Sequence, residues 1–462
     1  MAVAAGRSHT VIVSEEGFLC VCGKNYYGEL GTRNLNQQNF PTRMKGLPLS
    51  LGPVMQVSVG CSHTGIVTEA GDLLMCGRGG LGWLGLSDEE DRTTPTLVAR
   101  AVFDGEAVLM VACGAWHTAV VTEDGGVYTF GLGDDGRLGH GDEEDQLVPR
   151  RVPAAGFNSE RIVMVAAGGG HTVALSEAGH IFTWGDGGFG QLGLGGFGQL
   201  GLGDQENQLA PRQVEPRRFS SKVVFVAAGG DHTVAVTAGG RLYTWGYGGH
   251  GRLGHGDTGS RLVPTVVGAQ AFGALEGGRV VMAACAESHT LVVTRDGALW
   301  ACGNGLYGKL GLNNMEDRHV FERVGVEAFG GAKVVVAAAG KNHSVVVTAD
   351  GALWTWGYNN GGQLGHVNDD FTYMIMSPRQ VTSGNLDRMR VGRFHFNLTR
   401  EHILALYMSQ HSRLGAPSVA QNLKPELLEM IVRMNTPKKG NNAISRLLGF
   451  FRTCKPCILS QH

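Results

Sequence analysis

One histidine recurs along the chain at a spacing that few folds accommodate. It stands at His9, His63, His117, His171, His232, His289 and His343, in steps of 54, 54, 54, 61, 57 and 54 residues. A glycine follows eight residues later, from Gly17 to Gly351, and another fourteen residues later, from Gly23 to Gly357. A Leu-Gly pair falls at plus 21 and plus 22 in every repeat, from Leu30-Gly31 to Leu364-Gly365. Self-similarity at a fixed period of this kind marks units that bury their faces only by stacking on their neighbours. The one long step has a local cause, because residues 187–194 read GGFGQLGL and residues 195–202 repeat them. Pro41, Pro95, Pro149 and Pro264 fall at plus 32 but Pro211 at plus 40. The duplication is therefore expected to lengthen one surface loop by eight residues and leave the flanking strands in register.

Within a repeat the strands are legible. In the fifth, Val223–Ala227 and His232–Thr237 read as short strands, a turn at Gly239-Gly240 leads into Arg241–Trp245, and the segment around Pro264–Val267 makes a fourth. Asp296-Gly297 and Asp350-Gly351 supply hairpin turns at the equivalent place in the last two repeats. Four short strands per repeat, seven times over, predict an all-β fold: a seven-bladed β-propeller of four-stranded blades. Composition agrees. Glycine supplies 73 of 462 residues, about 16% against roughly 7% in ordinary chains, while only 14 prolines exclude collagen. A hydrophobic share of 43% and a net charge of -2 exclude wholesale disorder.

The propeller is assigned to residues 1–396 and a short, partly α-helical C-terminal extension to 397–462. The extension carries nine Lys/Arg against three Asp/Glu, so the ring holds a net charge of -8 and the tail +6. Near-neutral charge leaves no direct footprint for nucleic acid. Nine sparse cysteines point to a reducing compartment. No apolar run reaches the ~18 residues of a membrane span, and the start of the chain lacks the basic and apolar regions of a signal peptide. Cytoplasm or nucleus, and a monomer, are the expectation.

The repeat also carries a resemblance. Gly-x-x-His-Thr, then Gly-x-Leu-x-x-Trp-Gly as in Gly240–Gly246, then Gly-x-Leu-Gly is similar to the regulator of chromosome condensation repeat family, over roughly residues 1–395. The resemblance implies a ring whose termini share a blade, so the strand at Met1–Ala5 is expected to pair with chain beyond Val381. Arg388–Phe396 is a candidate extra strand, and 399–409 reads as helix. It also implies a non-catalytic protein-protein interaction propeller. Its sharpest form is a guanine-nucleotide exchange factor for a Ran-like small GTPase, which displaces nucleotide without covalent chemistry. The family's exchange factor uses a wedge inserted in a blade, whereas the clear insertion here is the glycine-rich 187–202. The alternative is a substrate-recognition subunit linked to ubiquitin ligation through an adaptor. Plant ultraviolet-B receptors share the fold, but of their repeated Gly-Trp-Arg-His-Thr motif only Gly114-Ala-Trp116-His-Thr118 comes near, which argues against photoreception.

Candidate chemistry reduces mostly to architecture. GxGxxG occurs five times, at 77–82, 131–136, 185–190, 246–251 and 303–308. One dinucleotide site needs a single copy that opens a helix, so these are read as repeat loops and no cofactor is expected. The histidines lie on different blades, which argues against a metal, and each buried ring is expected to place both nitrogens on backbone groups. Cys22, Cys76 and Cys302 share a column with Phe130, Trp184, Trp245 and Trp356 and read as core. Cys454 and Cys457 form a lone CxxC with no second pair for zinc. The loops after Leu-Gly carry Asp88, Glu89, Asp142, Glu143, Asp204, Asp257, Asp369 and Asp370. They are either solvated turn residues or an acidic rim that steers a basic partner. In the tail, Leu427 and Ile431 belong to one helical stripe, faintly like the start of an F-box, and Leu447, Leu448 and Phe451 to a second. These are candidate tail contacts, to the ring or to a partner.

Overall fold

Each repeat folds into one antiparallel sheet of four strands taken in chain order. The computed structural model describes residues 3–14, 17–47, 51–188, 198–272, 278–366 and 373–382. Among these, seven such sheets form the blades of a β-propeller. Blade 5 is typical: Val223–Ala228, His232–Thr237, Leu242–Gly246 and Arg261–Val266. The second strand is buried at every position in each blade described, because neighbouring blades cover both of its faces. That is why it reads as an unbroken run such as His-Thr-Val-Ala-Val-Thr rather than an alternation. The fourth strand faces outward and is buried mainly at its centre, where the repeated proline sits as in Gln146–Arg151, with Phe321 in that place in blade 6. A proline there removes a donor from the exposed edge and discourages pairing with other chains.

The core lies between blades. Val11, Val13, Leu19 and Val21 of blade 1 meet Val57, Ile66 and Leu74 of blade 2 in one buried cluster. The same arrangement recurs at each junction, as where Ala119 and Val121 of blade 3 meet Val165, Phe182 and Trp184 of blade 4. The glycine fourteen residues after each histidine has φ between 103 and 117°. A side chain on it would meet the carbonyl oxygen of the residue before the histidine, in all seven repeats, so sterics fix that column.

The chain beyond Thr382, with which the first strand is expected to pair, lies outside the described residues. Val3–Ala5 pairs with His9–Val13 of its own blade, through Val3↔Ile12, Ala4↔Val11 and Ala5↔Thr10. Blade 7 is completed by Met374–Gln380, so among the described residues each blade is one contiguous segment. Closure is by face packing: Val3, Ile12 and Cys20 join Val336, Val345 and Val347 in one cluster.

The duplication behaves as expected at its edges. Blade 4 pairs Phe182 with Gln213 and Gly185 with Gln208, as blade 5 pairs Tyr243 with Val266 and Gly246 with Arg261. Counting from His171 puts plus 21 at Leu192, but the structural place of the Leu-Gly pair is taken by Leu200-Gly201. The Thr183 hydroxyl donates to the Leu200 carbonyl at 2.8 Å, as Thr244 does to Leu253 at 2.7 Å. The candidate strand at 388–396, the helix at 399–409, Asp369, Asp370, the tail residues Leu427, Ile431, Leu447, Leu448 and Phe451, and the CxxC lie outside the described residues.

Candidate functional site

Antiparallel order puts the strand 1–2 turns and strand 3–4 loops at one end of every blade, and the strand 2–3 turns and blade connections at the other. The first end, the histidine face, holds most of the predicted residues. Each histidine is fully buried. Its Nε2 meets the hydroxyl that follows the histidine of the next blade: His9 with Thr64 at 3.1 Å, His63 with Thr118 at 3.1 Å, His117 with Thr172 at 2.9 Å, and His171 with Thr233 at 3.0 Å. His232 with Thr290 at 2.9 Å, His289 with Ser344 at 3.0 Å and His343 with Thr10 at 2.9 Å complete the circle. Each hydroxyl donates in turn to a main-chain carbonyl of the preceding blade, as Thr64 does to Glu29 at 2.8 Å and Ser344 to Lys309 at 2.7 Å.

A hydroxyl has one proton, so with that proton on the carbonyl the imidazole must donate from Nε2. The expectation that both nitrogens meet backbone groups is therefore corrected. Nε2 bonds a side chain of the next blade, and Nδ1 has no hydrogen-bond partner in any of the seven. Its ring edge packs against the glycine three residues earlier, in six blades out of seven. Burial pulls the imidazoles far below their usual range, to about 3 for His9 and His343 and about 4 for His63 and His171, so they are neutral. The ring is a structural girdle. No group of three or more His, Cys, Asp or Glu among the described residues is arranged to hold a metal ion.

The residue just before the Leu-Gly pair is where the repeat varies. These residues are Glu29, Trp83, Arg137, Gln199, Arg252, Lys309 and Gln363, each at most 4% exposed. Their carbonyls accept the threonine and serine hydroxyls described above, and also Trp245 Nε1 on Gln199 and Trp356 Nε1 on Lys309, both at 2.9 Å. Cys22, Cys76 and Cys302 point at the same carbonyls, which confirms the cysteine-aromatic column as core. The frame thus uses the backbone of these positions and leaves their side chains open to variation. Nothing in the sequence marked them, because they follow no pattern.

Some of these buried side chains back more exposed neighbours that form a candidate recognition surface. The Arg252 guanidinium lies 4.5 Å from the Tyr247 ring and donates to the Gly249 carbonyl at 3.0 Å. Arg137 lies 5.4 Å from Trp116 and pairs with Asp135 at 2.9 Å. Arg78 sits over both Tyr27 and Trp83, and Lys24 over Tyr26. Burial pushes the Lys309 ammonium down to about 8 and raises the Glu29, Asp186 and Asp231 carboxyls. Around the mouth of the ring Glu287 pairs with Lys341 at 2.6 Å. Tyr26 and Trp116 are 63% and 43% exposed. Arginine held against exposed tyrosine and tryptophan is the composition of protein-binding hot spots.

The acidic loops are organised locally. Asp88 Oδ1 accepts the Glu90 amide at 3.0 Å, Asp142 that of Glu144 at 3.3 Å, Asp204 that of Glu206 at 3.2 Å and Asp257 that of Gly259 at 2.9 Å. Asn34 and Asn314 make the same turn contact in blades 1 and 6, at 2.9 and 3.1 Å. The position therefore selects a short side-chain oxygen rather than a charge. Asp88, Asp142 and Asp257 also pair with Arg92, Arg150 and Arg261 at 2.6, 3.1 and 2.7 Å. The Glu90 amide and Arg92 hold the Asp88 carboxyl below its usual range, and Arg261 and the Gly259 amide do the same for Asp257. Glu89 and Glu143, one residue on, are exposed. The GxGxxG segments are likewise turns: residues 80–82, 134–136, 249–251 and 306–308 make short 3₁₀ turns that lead into the Leu-Gly pair.

A closed ring of histidine-girdled blades that shows a varied polar and aromatic face defines a repeat propeller of the interaction type. The chain matches the family model described as RCC1-like domain over residues 102–402, and that of the regulator of chromosome condensation (RCC1) repeat over 16–67 and 70–121. It belongs to the RCC1 repeat family. It is 37% identical over 318 residues to the Ultraviolet-B receptor UVR8 of Arabidopsis thaliana, covering 68% of each chain. It is 33% identical over 376 residues to the human E3 ubiquitin-protein ligase HERC2, which is 81% of this chain and 7% of that protein. Human WBSCR16 shares the fold with a TM-score of 0.66 at 26% identity, over 75% of this chain and 85% of its own. Prp20p of Saccharomyces cerevisiae, whose structure was reported with its binding to Gsp1p and histones, superposes with a TM-score of 0.67 at 23% identity over 81% and 88%, a likeness of fold. No helix among the described residues is long and apolar enough to cross a membrane.

Proposed function

We propose that the ring is a non-catalytic scaffold whose histidine face binds a partner protein, and that its action on the partner is guanine-nucleotide exchange on a Ran-like small GTPase. The observation that carries the scaffold reading is the contrast within each repeat: an unvarying girdle beneath, and at the seven positions before Leu-Gly five kinds of side chain, with arginine-aromatic pairs beside them. Exchange by this face is displacement: side chains pressed on the GTPase weaken its hold on nucleotide, and no bond in the protein is made or broken. Family membership supports this reading. With this reading go a cytoplasmic or nuclear location, where such GTPases act, and a monomeric chain.

The test is direct. A Ran-like GTPase loaded with fluorescent GDP is mixed with the full chain in excess unlabelled nucleotide. Release accelerated in proportion to added protein supports exchange, and unchanged release at micromolar protein removes it. The second reading is substrate recognition for ubiquitin ligation, favoured by the 33% identity to HERC2 across most of this chain. Capture of a Skp-type adaptor or a ligase subunit by the full chain, with no effect on nucleotide release, selects it. Photoreception is disfavoured by the turns of the histidine face. The two residues before each histidine include one tryptophan, Trp116, among Arg7-Ser8, Cys61-Ser62, Gly169-Gly170, Gly230-Asp231, Glu287-Ser288 and Lys341-Asn342.

A further inference from the structure

The opposite end of the ring departs from the repeat at one blade. The strand 2–3 turn carries a carboxylate in six repeats: Glu15-Glu16, Glu69, Glu123-Asp124, Glu177, Asp296 and Asp350. In blade 5 the turn reads Ala238-Gly239-Gly240, without a carboxylate, and is followed at once by Arg241. The chain entering this blade is Glu215-Pro216-Arg217-Arg218-Phe219-Ser220-Ser221-Lys222. It is held rigidly. The Glu215 side chain accepts the Arg217 amide over a 3₁₀ turn at Pro216–Arg218. The Phe219 ring packs 5.0 Å from Tyr243, whose hydroxyl accepts the Ser220 amide at 2.9 Å. The Ala238 amide bonds the Lys222 carbonyl at 2.8 Å and the Val280 amide bonds the Gly240 carbonyl at 3.0 Å. Lys222 and Arg279 therefore flank the turn that ends in Arg241.

Arg217, Arg218, Lys222, Arg241 and Arg279 are all exposed, and none of their side chains has an ion pair or hydrogen bond among the described residues. Elsewhere Arg92, Arg100, Arg150, Arg151, Arg261 and Arg318 are each paired with a carboxylate. Among the described residues, three carboxylates near the basic rim are occupied: Glu215 caps the turn, Glu160 pairs with His180 at 2.8 Å and Asp296 accepts the Thr294 hydroxyl at 2.6 Å, while Glu177 lies in the neighbouring turn. Beside the cations is a hollow of about 250 Å³, with Gly179, Ile181, Pro216 and Phe219 in its apolar wall and Ser221 and Lys222 at its edge.

We propose that this rim of blade 5 binds an acidic peptide segment of a partner, with one apolar side chain seated in the hollow and carboxylates on Arg217, Arg218, Arg241 and Arg279. Guanidinium forks match carboxylates in pairs, and a fixed segment presents them with little ordering cost. The hollow decides between anion classes, since it takes one large apolar side chain, which neither a duplex backbone nor a lipid headgroup layer supplies. The proposal rests on the reading of the ring as a protein-binding scaffold and adds a second surface and the chemistry of what it takes. Its failure leaves the histidine face and the nucleotide-release test untouched.

The experiment uses the full chain and a short fluorescent peptide rich in Asp and Glu around a central Phe, read by anisotropy at low and physiological salt. Saturable binding is expected, weakened about tenfold or more by the Arg217→Glu/Arg218→Glu pair and by Arg241→Glu, and severalfold by replacing the peptide's Phe with Ala. Arg379→Glu, on the exposed outer strand of blade 7, should change nothing. Circular dichroism and the urea midpoint establish that each variant is folded. Absence of binding, equal loss with Arg379→Glu, or tighter binding of duplex DNA or phosphatidylserine vesicles through the same arginines overturns the proposal.

Discussion

Acid should open this ring through its histidines. All seven girdle imidazoles are buried and neutral, with values near 3 for His9 and His343, near 4 for His63 and His171, and well below the usual range for His117, His232 and His289. In the unfolded chain each titrates near 6.5. Because the folded values are depressed, the unfolded state takes up protons first. Stability is therefore complete above about pH 6.5 and falls as the pH drops, until the folded values are reached. A single histidine loses about 0.8 kcal/mol between pH 7.5 and 6.0, so seven together lose about 5 kcal/mol, comparable with the low end of ordinary domain stabilities. His140 and His366, held near 4 by burial, add to the slope. Burial raises the Glu29, Asp186 and Asp231 carboxyls, which work in the opposite sense and trim it. The assay is urea unfolding followed by circular dichroism at several pH values from 7.5 to 6.0. The midpoint should fall steeply, and His117→Gln, though less stable, should show a shallower pH dependence by one site's share. A midpoint independent of pH across this window, or a slope of fewer than about two protons, would refute the assignment of a buried neutral girdle.

Three smaller perturbations test the frame. Thr64→Val removes the hydroxyl between His9 and the Glu29 carbonyl, 3.1 and 2.8 Å away, and should cost about 1–3 kcal/mol in urea unfolding by leaving the His9 Nε2 proton unpaired and the carbonyl with the weak Cys76 thiol donor. Gly131→Ala puts a methyl at a φ of 110°, 2.7 Å from the Trp116 carbonyl, and should cost at least about 2 kcal/mol by the same measurement. Asp88→Asn keeps the oxygen that accepts the Glu90 amide and should change stability by less than about 0.5 kcal/mol, whereas Asp88→Ala should lower the midpoint. If Asp88→Asn instead weakens a partner's binding with the fold intact, the charge at this loop matters to recognition.

How much was legible follows from what each contact depends on. The seven blades and their strands could be read because glycine, proline and Leu-Gly are imposed by backbone geometry, and backbone geometry repeats. The girdle was half legible. The histidine and threonine columns were visible, but adjacency along the chain hid the fact that each histidine bonds the threonine of the next repeat, 55 residues on in most blades. The acidic loops were legible as turns and less so as turns that need an oxygen instead of a charge, a distinction made by Asn34 and Asn314. Arg137, Arg252 and Lys309 were illegible, because the frame uses their carbonyls and any residue supplies one.

Ring closure shows why no shared blade is needed. Six junctions are joined by continuous chain, and the seventh, between blades 7 and 1, is made from the same contacts as the others. His343 meets Thr10 at 2.9 Å and the Lys341 amide meets the Gly6 carbonyl at 3.1 Å, as His117 meets Thr172 at 2.9 Å and the Ala115 amide meets Gly168 at 3.0 Å. Once six junctions have formed, the outer faces of blades 7 and 1 are held close by the curvature of the stack, and their meeting is intramolecular at high effective concentration. A bonded pair and a buried face suffice there, although Val3–Ala5 is only three residues long where the first strand of blade 5 has six. Among the described residues, curvature set by the other six junctions thus brings blades 7 and 1 together by face packing and the His343–Thr10 bond.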